Sequence, residues 1–127
     1  MTTDRTAIIT IGGEDYELVL TTKATKEIAG RYGGLENLGD KLMKSENFEM
    51  ALGEIVWLIS LLANQAILIH NLKNKNDQKE LLTEEMVELL TVPADLATYK
   101  TAITEALYNG TKRNVESETD PKNAVVE

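Results

Sequence analysis

Residues Ile55 to Ile69 read IVWLISLLANQAILI. Taken as a helix, this segment is apolar on nearly every side, interrupted only by Ser60, Asn64 and Gln65. A helix that is hydrophobic all round is either a membrane span or the centre of a core. A span takes roughly 20 predominantly apolar residues. This run is shorter, is preceded by Glu54 and followed by His70, and contains an adjacent Asn–Gln pair. It is therefore read as the central helix of a soluble protein, with no membrane partner. A small domain does not readily cover such a helix alone. That favours a binding protein over an enzyme and leaves homo-oligomerisation through the helix open.

Working outward, Ser45 or Asn47 is placed to cap the central helix, with Glu46 and Glu49 near its positive end. The helix is expected from Phe48 to about Leu72. Asn71 to Lys79, NLKNKNDQK, is polar and without periodicity, so a flexible connection is expected there. Thr83 then caps another helix, with Glu84 and Glu85 in its first turn. Leu82 and Val87 flank that cap in the positions of a hydrophobic staple. Val92-Pro93 ends the helix, because the residue before proline avoids the helical region. Pro93 suits the first turn of the next one. Leu96, Tyr99, Ile103 and Leu107 form the apolar face of that last helix, and Asn109-Gly110 is expected to close it.

On the N-terminal side, Ala7–Ile11 and Tyr16–Leu20 alternate as two strands, with a turn at Gly12-Gly13-Glu14-Asp15. Ile9, Ile11, Tyr16, Leu18 and Leu20 mark the face expected to lie on the helices. Thr21-Thr22 offers a cap, and Ala24, Ile28 and Tyr32 form the stripe of a short helix stopped by Gly33-Gly34. Leu35, Leu38 and Leu42 suggest a further short helix, weakened by Gly39. The fold class expected is α+β and mostly helical: an N-terminal β-hairpin (residues 7–20) packed on a bundle of about four to five helices (residues 22–110) around one apolar central helix. Residues 1–110 form one domain. Residues 111–127, TKRNVESETDPKNAVVE, are polar and unpatterned and are read as a disordered tail or linker.

Composition narrows the function. The 127 residues carry a net charge of −8, which opposes binding to nucleic acid, where Lys and Arg contacts to phosphate dominate. The acids are dispersed rather than arrayed, which also counts against mimicry of nucleic acid. No cysteine is present, so disulfides and thiolate metal sites are excluded. The opening MTTDRTAIITIGG lacks a basic segment followed by a long apolar one, so no signal peptide and a cytoplasmic location are expected.

No catalytic, cofactor or metal constellation emerges. His70, the single histidine, sits at the end of the apolar helix, where it is read as a partner of terminal carbonyls. Glu80, Glu84, Glu85 and Glu88 are read as a solvated face rather than a cation site or an acid/base pair, for want of a second ligand cluster. Gly12-Gly13 and Gly33-Gly34 match no phosphate-binding loop. Trp57 is read as core rather than binding hot spot. Arg31 and Tyr32 are left between partner contact and ordinary surface, and no partner-binding residue is assigned.

The order of these features resembles tail assembly chaperones encoded by phages and prophages of Gram-positive bacteria. The residues that carry the resemblance are ITIGGEDYELVLTT (Ile9–Thr22), KATKEIAGRYGGLENL (Lys23–Leu38), EIVWLISLLANQAILI (Glu54–Ile69) and LTEEMVELLTVPADLATYKTAITEALYNG (Leu82–Gly110). The resemblance implies a non-catalytic protein of the host cytoplasm, absent from the mature virion. Such a protein binds and solubilises the apolar, helical tape measure protein, and the tail tube protein is a further partner. It also implies a longer form made by ribosomal frameshifting. Pro121-Lys122-Asn123 can be encoded as CCA AAA AAC, which contains a slippery heptamer. Lys73-Asn74 and Lys75-Asn76 could be encoded similarly, but a slip there would destroy the fold. The alternatives are another small phage or prophage structural or adaptor protein, and an acidic inhibitory protein.

Overall fold

Gly12 and Gly13 set the first element. Both have positive φ, 59° and 85°, as the two-residue turn between right-twisted strands requires. β1 (Thr6–Ile11) and β2 (Glu14–Val19) therefore pair antiparallel with Ile11 opposite Glu14, Ile9 opposite Tyr16 and Ala7 opposite Leu18. The turn uses two residues where four were expected, because Glu14 and Asp15 already belong to β2. Ala7, Ile9, Ile11 and Leu18 are buried on one face, as the alternation predicts.

A computed structural model describes residues 6–38 and 48–119. α1 (Thr22–Tyr32) starts at Thr21, whose hydroxyl accepts the Ala24 N–H at 3.0 Å, and ends at Gly33. Residues 35–38 are helical, with Leu38 fully buried. Gly39, Leu42 and the expected caps Ser45 and Asn47 lie outside the described residues, as does the Pro121-Lys122-Asn123 motif. α2 (Phe48–Lys73) is the central helix, within a residue of its expected span. α3 (Glu84–Leu90) is capped by Thr83, whose hydroxyl accepts the Met86 N–H at 3.1 Å; Leu82 and Val87, the expected staple pair, are both buried. Thr91 and Val92 separate α3 from α4 (Pro93–Thr119).

The architecture is α+β, with a two-stranded antiparallel hairpin and helices packed around α2. β2 lies chiefly on α2 and β1 on α4, while α1 and α3 flank α2. Ile55, Leu58, Ile59 and Leu62 of α2 meet Ile11 and Leu18 of the hairpin, Ile28 of α1, Val87 of α3 and Ile103 of α4 in one core cluster. The Tyr99 hydroxyl donates to the Thr10 carbonyl, tying α4 to β1 across the chain.

One boundary differs from the sequence reading. Asn109-Gly110 does not close the last helix, which runs on to Thr119, so a tail beginning at Thr111 is not what the structure has. Gly110 is buried inside α4, where an added Cβ would lie 2.8 Å from the Leu20 Cβ. Its small size serves a close helix–hairpin contact rather than a helix stop.

Candidate partner-binding site

The two halves of α2 differ. From Ile55 to Ala63 nearly every side chain is buried, with Trp57 half-covered. From Ala66 to Ile69 every residue is only half-buried, and Leu72 is 74% exposed. By length and composition Leu52–Lys73 is apolar enough to cross a membrane, and half of its apolar window is buried inside this domain. The domain thus covers residues 55–63 of its central helix and leaves residues 66–72 partly open.

Two grooves run beside α2, the first along that second half and the second mainly along its middle. The first has a volume of about 720 Å³ and lies between the hairpin and α2, closed at one end by α3. Its floor is Ile11, Ala63, Ala66, Ile67, Met86 and Leu90. Its rim carries Glu14 and Glu80, with Asp15 and Glu17 on the outer face of the same strand and Lys79 and His70 at the loop end. The Tyr16 hydroxyl, in the same groove, donates to Glu14 at 3.3 Å; burial, with the Glu14 charge second, raises its pKa above the ordinary 10.0. The second groove, about 340 Å³, lies between α1 and residues 81–84 and includes Trp57, Leu61, Leu68 and Leu81. Its rim has both signs of charge, with Lys23 paired to Glu27 at 3.2 Å and Glu84 opposite.

The polar interruptions of α2 shape these grooves. Asn64 makes a two-point contact with Leu82, accepting its N–H at 2.7 Å and donating to its carbonyl at 2.8 Å. Gln65 is buried, donates to the Leu61 carbonyl at 3.0 Å and accepts the Thr21 hydroxyl, so the cap of α1 is tied to α2. The partners of Asn64 and Gln65 were not foreseen; the signal was their adjacency inside an apolar run. The connection expected to be flexible is tied down as well. Asn71 accepts the Lys79 N–H at 2.8 Å and donates to its carbonyl at 3.0 Å, and Gln78 donates to the carbonyls of Asn71 and Asn74.

His70 meets the Asp77 carbonyl at 2.8 Å and carboxylate at 3.2 Å, in the loop rather than at the helix-terminal carbonyls expected for it. Glu80, Glu84 and Glu88 lie on three different clefts, and no group of side chains able to hold a metal occurs among the described residues. Arg31, Tyr32 and Trp57, which the sequence left unconnected, form one cluster. The guanidinium sits 4.3 Å from the indole centroid and 3.7 Å from Glu54, and Tyr32 meets Trp57 edge-on at 6.0 Å. Trp57 is thus half core and half surface.

No known protein family, curated protein or solved structure matches the chain.

Proposed function

We propose that this protein is a tail assembly chaperone of a long-tailed phage or prophage. It binds the tape measure protein in the host cytoplasm and keeps it soluble until tail tube subunits surround it. The observation that carries this reading is the half-covered C-terminal part of α2, bordered by a groove with an apolar floor, with a second groove beside the middle of the helix. An extended apolar helical client aggregates through exposed surface. A groove that accepts the apolar face of such a helix removes that surface from water, and a carrier with a net charge of −8 keeps the complex soluble. The work is binding, with no bond made or broken.

Co-expression with the tape measure protein of the same gene cluster tests the reading. The tape measure should move from pellet to supernatant and co-purify with this chain. If it stays insoluble and this chain instead binds assembled tails, the protein is an adaptor and the chaperone reading fails.

A further inference from the structure

We propose that the groove between the hairpin and the C-terminal half of α2 receives a cationic amphipathic helix, apolar on one face and bearing Lys or Arg along its flanks. The inference deepens the chaperone reading and rests on it for the identity of the polypeptide that supplies the helix.

The floor is shaped for a helix. Ala66, Ile67 and His70 of α2 are the half-buried residues of the floor, at i, i+1 and i+4, and Ala63 closes it one turn deeper. The small side chain of Ala66, half-buried, lets a second backbone come close. Met86, an adaptable side chain that fills irregular gaps, and Leu90 close the far wall.

The rim sets the charge of the occupant. Glu14 and Glu80 border this apolar floor, Asp15 and Glu17 lie on the outer face of the same edge strand, and none of the four is in an ion pair among the described residues. Asp15 accepts the Thr10 hydroxyl at 2.7 Å and Glu14 the Tyr16 hydroxyl, which leaves all four charges uncompensated. Of the two basic side chains there, His70 is engaged by Asp77, and Lys79 is a single charge against four. The second groove has no such bias, because its lysine is paired and faces a glutamate. A second copy of this chain is a poor occupant, since each copy brings a net charge of −8. A small molecule is also a poor fit, because such sites enclose their ligand around a few convergent polar groups.

The probe is a synthetic amphipathic peptide of about 18 residues, five helical turns, with a Leu face and Lys flanks. Its twin carries Glu in place of Lys. The Lys peptide should bind the full chain at least about tenfold more tightly than the twin, a difference that shrinks as salt rises. Amide shifts should centre on Ala66, Ile67 and Met86. Emission from Trp57, the single tryptophan, should stay constant because it lies in the other groove. The triple variant E14Q/E17Q/E80Q should bind about tenfold more weakly at unchanged Tm. Equal binding of the two peptides, shifts centred on Leu61 and Leu68 with altered Trp57 emission, or a dimer that excludes the peptide would each overturn the proposal. In co-expression, Ala66→Arg and the triple variant, folded by circular dichroism, should release the tape measure to the pellet. If both variants still hold it soluble, the groove assignment is wrong and the chaperone reading stands. If the wild-type chain fails to hold it, the chaperone reading falls, and the peptide data decide the groove separately.

Discussion

Asn64 and Asn71 lie two turns apart on the same side of α2 and grip the same returning segment, Asn64 at Leu82 and Asn71 at Lys79. Each amide satisfies both the N–H and the carbonyl of one residue, as a neighbouring strand would. The lengths agree: seven helical residues rise about 10.5 Å, and three extended residues span about 10 Å. The helix thus supplies ladder-like partners to a segment that belongs to no sheet. That segment separates the two grooves and brings Thr83 to the position from which α3 starts.

The two asparagines should differ in weight. Asn64→Ala leaves the Leu82 peptide groups, part-buried, without partners and should cost about 2 kcal/mol. Asn71→Ala exposes its partners to water and should cost under about 1 kcal/mol. Asn64→Asp keeps an acceptor for the Leu82 N–H but sets a carboxylate against its carbonyl, so it should be no better than Ala. Urea denaturation measures all three, and equal losses at the two positions would contradict this account.

Gly110 tests a sign. Replacing a glycine inside a helix by alanine ordinarily stabilises by about 1 kcal/mol. At Gly110 the new methyl would meet the Leu20 Cβ at 2.8 Å and Cδ2 at 3.0 Å, and overpacking of this kind costs about 1–3 kcal/mol. Gly110→Ala should therefore lower Tm, and Leu20→Ala in the same chain should recover part of the loss. Gly30→Ala in α1, where nothing lies within 4 Å, should raise Tm. A rise with both glycine variants would show that the helix–hairpin contact is looser than drawn.

Arg31 should be coupled to both Glu54 and Trp57. Its guanidinium stacks on the indole and is the ion partner of Glu54 among the described residues. Arg31→Ala should cost about 1 kcal/mol and shift Trp57 emission, whereas Lys23→Ala, on an exposed pair, should leave both nearly unchanged. A double-mutant cycle between Arg31 and Glu54 that returned no coupling would reject the pairing.

Stability should fall in alkali. Burial first, then the Asp95 charge, raises the Tyr99 pKa above 10.0, and burial with Glu14 does the same for Tyr16. Below about pH 9 both phenols are neutral in folded and unfolded chains and contribute no pH dependence. As pH rises past 10 the unfolded chain loses its protons first, so the native state holds more protons and its stability declines until the folded phenols also ionise. Tyr16→Phe/Tyr99→Phe should flatten that decline in urea titrations between pH 9 and 11. An unchanged slope would place its source elsewhere. Below pH 9 Tyr99→Phe alone should still cost about 1 kcal/mol, because the Thr10 carbonyl loses its donor.

Local physics was enough for the sequence to determine the hairpin, the apolar α2, the Thr21 and Thr83 caps and the break at Val92-Pro93. Strand alternation, glycine φ, hydroxyl caps and the proline restriction act within a few residues, and the structure places each of these elements within two residues of where they predict. Gly110 was misjudged because a glycine late in a helix has two physical uses, as a stop or as a close contact. Only the position of Leu20, 90 residues earlier, distinguishes them. The same holds for Asn64, Asn71 and Gln65, which a sequence shows merely as polar interruptions, and for Arg31 and Trp57, which α1 and α2 bring together. The groove is likewise a product of the tertiary structure alone. Its floor comes from α2, Ile11 of β1 and α3, and its rim from β2 and residue 80, and only packing determines which carboxylates remain unpaired beside which apolar surface.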